Sequence, residues 1–218
     1  MRIDVKNSVL AENQQAAESL RDTFTEHKIL VLNLMSSPGA GKTSLLVKTI
    51  EHLSQEFRIG VIEGDLATSM DAERIREVGA TAVQLNTGGG CHLDAKMVEK
   101  AIPHFELDKL DILIIENVGN LVCPSGYDLG QNHKIAVLSV PEGNDKIPKY
   151  PTMFRRTEMV VLNKIDLLPF LDFDVEQAKA DLALINPESS VLPLSVRSGE
   201  GFDAWIDWIK EKRALCLK

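Results

Sequence analysis

The sequence predicts an α/β protein, a mostly parallel β-sheet flanked by helices on both faces. Three observations point there. Short apolar runs recur at Ile29–Leu34, Arg58–Glu63, Thr81–Leu85, Asp111–Glu116, Lys134–Val140, Glu158–Leu162 and Val191–Leu194, and helical patterns fill most of the gaps between them. The first run feeds directly into a glycine-rich loop, and the sixth ends in Asn163-Lys164-Ile165-Asp166. In such sheets ligands bind beyond the carboxyl ends of the strands, where both segments fall.

Residues 1–27 come first. Within residues 8–27, Val9, Leu10, Ala16, Ala17, Leu20 and Phe24 recur at roughly helical spacing, so an amphipathic helix is expected ahead of a single domain formed by residues 28–218. Its apolar stripe either packs on that domain or meets a partner, and packing is the ordinary outcome.

The loop after the first strand reads Ser36-Ser37-Pro38-Gly39-Ala40-Gly41-Lys42-Thr43-Ser44. Gly39 and Gly41 let the backbone turn tightly and aim its N–H groups at phosphate oxygens, and the helix that follows points its positive dipole end the same way. Lys42 is expected to meet the β and γ phosphates and Thr43 a magnesium ion, with Ser37, Pro38, Ala40 and Ser44 completing the nucleotide contacts. Ser36 stands where the usual pattern has glycine. The predicted fold is that of the P-loop nucleoside triphosphatases.

Asn163-Lys164-Ile165-Asp166 is a guanine-reading signature. A carboxylate at Asp166 accepts hydrogen bonds from guanine N1–H and the 2-amino group, donors that adenine lacks there, while the Lys164 stem lies along the ring. The expected nucleotide is GTP or its product GDP. Ser195, Val196 and Arg197 follow the last strand and are expected to contact the base as well.

Between these motifs the strand Asp111–Glu116 delivers an acid and then, through Asn117 and Val118, Gly119. Glu116 is expected in the magnesium shell, and Gly119 beside the γ-phosphate, where its backbone N–H senses hydrolysis. Asp65, at the end of an earlier strand, is expected to contact magnesium or the attacking water. Lys42, Asp65 and Glu116 form the expected catalytic set. These segments supply no catalytic glutamine or arginine finger, so slow GTP hydrolysis is expected, suited to a switch.

Gly88-Gly89-Gly90-Cys91-His92 follows the third strand and Cys123 lies four residues beyond Gly119, so all three side chains are expected in loops after neighbouring strands on the nucleotide side. Two thiols and an imidazole suit nickel, zinc or copper, but they are too few for a closed four-ligand site, which a second chain would complete. Spacing alone also allows small loop or core cysteines and an exposed histidine. Cys216, in the charged tail, reads as incidental. Three cysteines make no disulfide framework, and a formal charge of −8 argues against nucleic acid and anionic membrane surfaces as partners. With no signal peptide and no spanning segment, a cytoplasmic location is expected.

Taken together, Ser-Pro-Gly-Ala-Gly-Lys-Thr, Glu-Gly-Asp-Leu, Gly-Gly-Cys-His-Leu, Glu-Asn-Val-Gly-Asn-Leu-Val-Cys-Pro, Ser-Val-Pro-Glu-Gly, Lys-Tyr-Pro-Thr-Met-Phe and Asn-Lys-Ile-Asp closely resemble the hydrogenase nickel-incorporation GTPases, the HypB family, from Leu30 to Trp208. The resemblance implies a SIMIBI-class GTPase that forms a homodimer with GTP. It also implies partnership with a HypA-type nickel accessory protein and help in delivering nickel to the large subunit of [NiFe] hydrogenase. Cys91, His92 and Cys123 then bind nickel or zinc at the subunit interface. Two departures stand out. Residues 1–30 hold only His27 and no cysteine, so N-terminal nickel storage is not expected, and Ser37 replaces a lysine that several dimeric relatives extend into the partner's site. The urease accessory GTPase would need histidine at Ser125, and a cobalamin-enzyme chaperone gives no reason for Cys91-His92. Outside this class, a small-molecule kinase would need an acceptor pocket, and a metal-storage module would need no switch.

Overall fold

A computed structural model describes residues 5–65 and 70–218, with side chains from residue 9 onward except at 65 and 70–72. Seven strands form one sheet: β1 (Leu30–Ser36), β2 (Ile59–Asp65), β3 (Thr81–Asn86), β4 (Ile112–Glu116), β5 (His133–Ser139), β6 (Met159–Asn163) and β7 (Ser190–Pro193). Their order is β3-β2-β4-β1-β5-β6-β7, and every pairing is parallel. All seven expected strands form. The first extends two residues beyond its apolar run, to Ser36, because the polar start of the loop still pairs with β5, Ser36 opposite Val137.

The helices that frame the site are α1 (Val5–Glu26), α2 (Lys42–Leu53), α3 (Met70–Glu77), α4 (Ala95–Ala101), the short α5 (Lys146–Lys149) and α6 (Pro151–Phe154), α7 (Val175–Ile185) and α8 (Phe202–Leu215). Alternation along β1 explains how they are held. Leu30, Leu32 and Leu34 join Leu45, Leu46 and Ile50 of α2 and Trp205 and Ile209 of α8. Val31 faces the other way, into a cluster with Ala17, Leu20 and Phe24 of α1 and Val98 of α4. Met35 enters a third cluster with Met153 and Phe154 of α6 and Leu182 of α7. Each fully buried leucine or phenylalanine stabilises the fold by about 2 kcal/mol. The polar tip of Trp205 is satisfied, since its Nε1 donates to Thr49 Oγ1 at 2.9 Å.

Helix α1 lies against the sheet through its apolar stripe, while Val9 near its start stays exposed. Asn13 pins that end. Its Nδ2 donates to the Asp128 carbonyl at 2.9 Å and its Oδ1 accepts from Ala95 N at 2.8 Å, so α1, the first residue of α4 and the loop before β5 are held by one side chain. No described helix is long and apolar enough to cross a membrane.

Candidate nucleotide cleft and metal centre

β1 sits between β4 and β5, so the loop leaving it emerges where the chain crosses from one half of the sheet to the other. Gly39 and Gly41 both adopt positive φ, 79° and 99°. At Gly41 a Cβ would also lie 2.5 Å from Asn163 Nδ2, so glycine is required there twice over. Helix α2 begins at Lys42, whose buried Nζ donates to Ser36 Oγ at 2.7 Å. Thr43 Oγ1 donates to Glu116 Oε1 at 2.9 Å, joining the loop to the end of β4.

The same loop is gripped from the far side. Asn163 Nδ2 donates to the Ala40 carbonyl at 3.0 Å and its Oδ1 accepts from Val196 N at 3.2 Å. Lys164 adopts a left-handed φ of 63°, which turns its Nζ onto the Gly39 carbonyl at 2.7 Å. Asp166 Oδ1 accepts from Ser195 Oγ at 2.6 Å, and Ser195 Oγ accepts in turn from Ser198 N at 3.1 Å. A cavity of about 340 Å³ opens between these groups, lined by Ser44, Asn163, Lys164, Asp166, Val196 and Arg197. It shares Gly41, Ser44 and Lys164 with a second cavity of about 310 Å³ walled by Gly39, Lys42, Thr43 and Glu116. One continuous cleft therefore has an apolar end beside Asp166 and a charged end beside Lys42. Gly119 closes against the loop, where an added Cβ would stand 3.1–3.2 Å from Pro38.

Three residues that were not singled out in the sequence line or support this region. Arg74 of α3 walls the charged cavity. Glu63 is buried two residues before the end of β2 and pairs in register with Glu116, the last residue of β4, so two carboxyl-bearing residues stand side by side. Glu142 accepts from Ser37 Oγ with one oxygen while the other takes Ser139 N and Oγ at 2.7 and 2.9 Å. An acid near the end of an apolar strand was a usable signal for Glu63; nothing in the local sequence brings Glu142 to Ser37. The side chain of Asp65 lies outside the described residues.

Cys91, His92 and Cys123 come together, with one ligand atom from each lying within 4.8 Å of the others. Cys91 Sγ is 3.5 Å from His92 Nδ1. The imidazole stacks on Tyr127 at 3.9 Å between ring centroids, and burial holds its pKa below the usual histidine value against the opposing pull of Asp94. Neutral imidazole is the form that ligates metal. The Cys123 thiol is pushed up by its hydrogen bond with Cys91, with burial adding to the effect. His92 and Cys123 border a cavity of about 730 Å³, so these two donors are accessible. One expectation is corrected. The strands that precede Cys91 and Cys123, β3 and β4, are not neighbours, because β2 lies between them. The loop after β3 reaches across β2 because Gly64 has no side chain. A Cβ there would meet the Leu93 side chain at 2.8–3.0 Å.

Residues 30–193 match the CobW/HypB/UreG, nucleotide-binding domain. Hydrogenase maturation factor HypB of Escherichia coli K12 is 52% identical over 211 residues, covering 97% of this chain and 73% of that protein. The chain belongs to the HypB family. Among solved structures, HypB from Archaeoglobus fulgidus superposes with a TM-score of 0.87 at 39% identity, over 93% of this chain and 99% of that one. HypB from Helicobacter pylori in complex with nickel gives 0.88 at 40% identity, over 93% and 95%. As a HypB-family chain, it carries the nucleotide-binding domain that the family description names.

Proposed function

We propose that this HypB-family chain is a GTP-hydrolysing metallochaperone that carries nickel or zinc on Cys91, His92 and Cys123 and releases nickel toward [NiFe] hydrogenase during maturation. The observation that carries this reading is the meeting of these three donors on the side of the sheet where the cleft between Asp166 and Lys42 also opens. Two sulfurs and an imidazole nitrogen suit a borderline-soft divalent ion. Their separation of up to 4.8 Å needs only small side-chain rotations to close on one, since ligands of a tetrahedral ion stand roughly 3.5–4 Å apart. Such a set is open, leaving positions for a partner's donors. A GTP-promoted homodimer would fill them with a second set, and a HypA-type protein would receive the cargo.

In the cleft, Asp166 reads the guanine edge with Ser195 fixing its carboxylate, and Lys164 lies over the base. Lys42 and the backbone of Gly39 to Ser44 bind the phosphates. Thr43 Oγ1 and Glu116 are hard oxygen donors 2.9 Å apart at the phosphate end, so the residues present fit magnesium, with Asp65 a further candidate ligand. That ion would supply charge neutralisation at the phosphates. Water is the acceptor, positioned by Glu116 or Asp65, and turnover is slow. Gly119, packed on Pro38, moves with the γ-phosphate, and Cys123 follows it by four residues. A urease-type reading is disfavoured at Ser125, which is buried, donates to the Val122 carbonyl at 2.7 Å and offers no imidazole.

The test is phosphate release from GTP and from ATP, with nickel and zinc titrations of the GDP and GTPγS forms and the mass of each form in solution. GTP-selective hydrolysis with nucleotide-dependent metal affinity is expected. Equal use of ATP, or metal binding that survives loss of all three donors, would overturn the proposal.

A further inference from the structure

Two asparagines flank Gly119, and each ties the phosphate side of the chain to one half of the metal cluster. Asn117 is buried to 1% exposure. Its Oδ1 accepts from Val118 N at 3.0 Å and from Leu93 N at 3.1 Å, so one oxygen bridges the residue before Gly119 and the residue after His92. Its orientation is fixed: only the carboxamide oxygen can serve two N–H donors, and Nδ2 donates to Asn33 Oδ1 at 3.3 Å, inside β1. Its own backbone N–H is held by the Leu34 carbonyl at 2.9 Å. Asn120 repeats the device on the other side. Its Oδ1 accepts from Val122 N at 2.7 Å and Cys123 N at 3.1 Å, fixing the start of the turn Cys123–Gly126.

The Val118 and Leu93 N–H groups on Asn117 are buried, where an N–H left without an acceptor is strongly unfavourable, so these two bonds resist being pulled apart. If Val118 and Gly119 shift, either Leu93 moves with them or a buried donor is orphaned. Leu93 also lies on Gly64, one residue before the end of β2, so the ends of β2 and β4 both meet the residue next to His92.

We infer that Asn117 and Asn120 are positioning residues that transmit the phosphate state of the cleft to the metal donors, Asn117 through Leu93 to His92 and Asn120 through the Cys123 backbone. The inference rests on the proposed metal and nucleotide functions. Coupling of this kind is the ratio of metal affinities in the two nucleotide states, and typical values are about 5–150-fold.

The experiment titrates nickel alone, by competition with a chromophoric chelator, into the full chain loaded with GDP or GTPγS. It compares the native protein with Asn117→Ala, Asn120→Ala and Asn120→Asp. Thermal melting and GDP affinity serve as controls for folding. The native ratio should depart from one by about fivefold or more. In Asn120→Ala and Asn117→Ala it should collapse to below about twofold with GDP affinity unchanged, while Asn120→Asp, which keeps the acceptor for both N–H groups, should retain it. A native ratio different from one that persists in both alanine variants overturns this inference and leaves the metallochaperone reading standing. A native ratio of one overturns both. If the buried Asn117→Ala chain fails to fold, the half-exposed Asn120 pair decides the outcome.

Discussion

Asn163 reaches from the end of β6 to the phosphate loop, its Nδ2 donating to the Ala40 carbonyl at 3.0 Å. The loop after β6 and the loop after β1 are thereby tied together. Removing the amide in Asn163→Ala should weaken GTP and GDP alike, by about tenfold or more for the loss of about 1.4 kcal/mol. Gly41→Ala, which sets a Cβ 2.5 Å from the same amide at a φ of 99°, should be at least as damaging. Calorimetric nucleotide titration checks both. A selective loss of one nucleotide would argue against a shared clamp.

Base choice should follow Asp166. Asp166→Asn should move preference from GTP toward xanthosine triphosphate, whose O2 accepts a hydrogen bond from the new amide. Ser195→Ala, which removes only the hydroxyl donating to Asp166 Oδ1 at 2.6 Å, should weaken GTP by about 1 kcal/mol without changing the preferred base. Competition between labelled GTP, ATP and xanthosine triphosphate distinguishes the two effects.

Lys42 is buried beside Ser36, and its ammonium faces the charged end of the cleft. Lys42→Ala should lower single-turnover GTP hydrolysis by about 10²–10³-fold, the usual cost of deleting one preorganised charge donor. Turnover within threefold of the native rate would remove Lys42 from the catalytic set.

The acid limb of stability should report Asp111, which precedes β4 at the end of the strands away from the cleft. Its carboxylate takes Arg58 N and Nε at 2.9 Å and Arg213 Nη2 at 3.0 Å, and despite burial these partners lower its pKa to about 2. A carboxyl with a depressed folded-state pKa gives stability that is complete above its unfolded value, near 4, and is lost as pH falls toward 2. Asp111→Asn should therefore destabilise the protein by about 2 kcal/mol at neutral pH and flatten the pH dependence of urea unfolding below about pH 4. An unchanged acid limb would assign the loss to other carboxylates.

Much of this was legible in the sequence, for identifiable reasons. Strands such as Ile112–Glu116 are buried on both faces and read as unbroken apolar runs, and the loop after β1 announces itself by glycines that its backbone angles require. The approach of Cys91 and His92 to Cys123 was legible only as a shared side of the sheet. It depends on β2 intervening between β3 and β4, and on Gly64 letting Leu93 pass over the strand end, neither of which local spacing encodes. Asn117 was invisible for a related reason. Its partners Leu93 and Asn33 are remote in the chain, and an asparagine after a strand looks like any turn residue.

The most direct test of the central claim is the nickel affinity of the native chain and of Cys123→Ala, each measured in the GDP and GTPγS forms. Nickel should bind the native protein with affinities that differ between the two forms by about fivefold or more, and Cys123→Ala should lose both the affinity and the difference while still binding GTP normally. Equal nickel affinity in the two native forms, or unchanged binding in Cys123→Ala, would contradict a nucleotide-gated metal site on this chain.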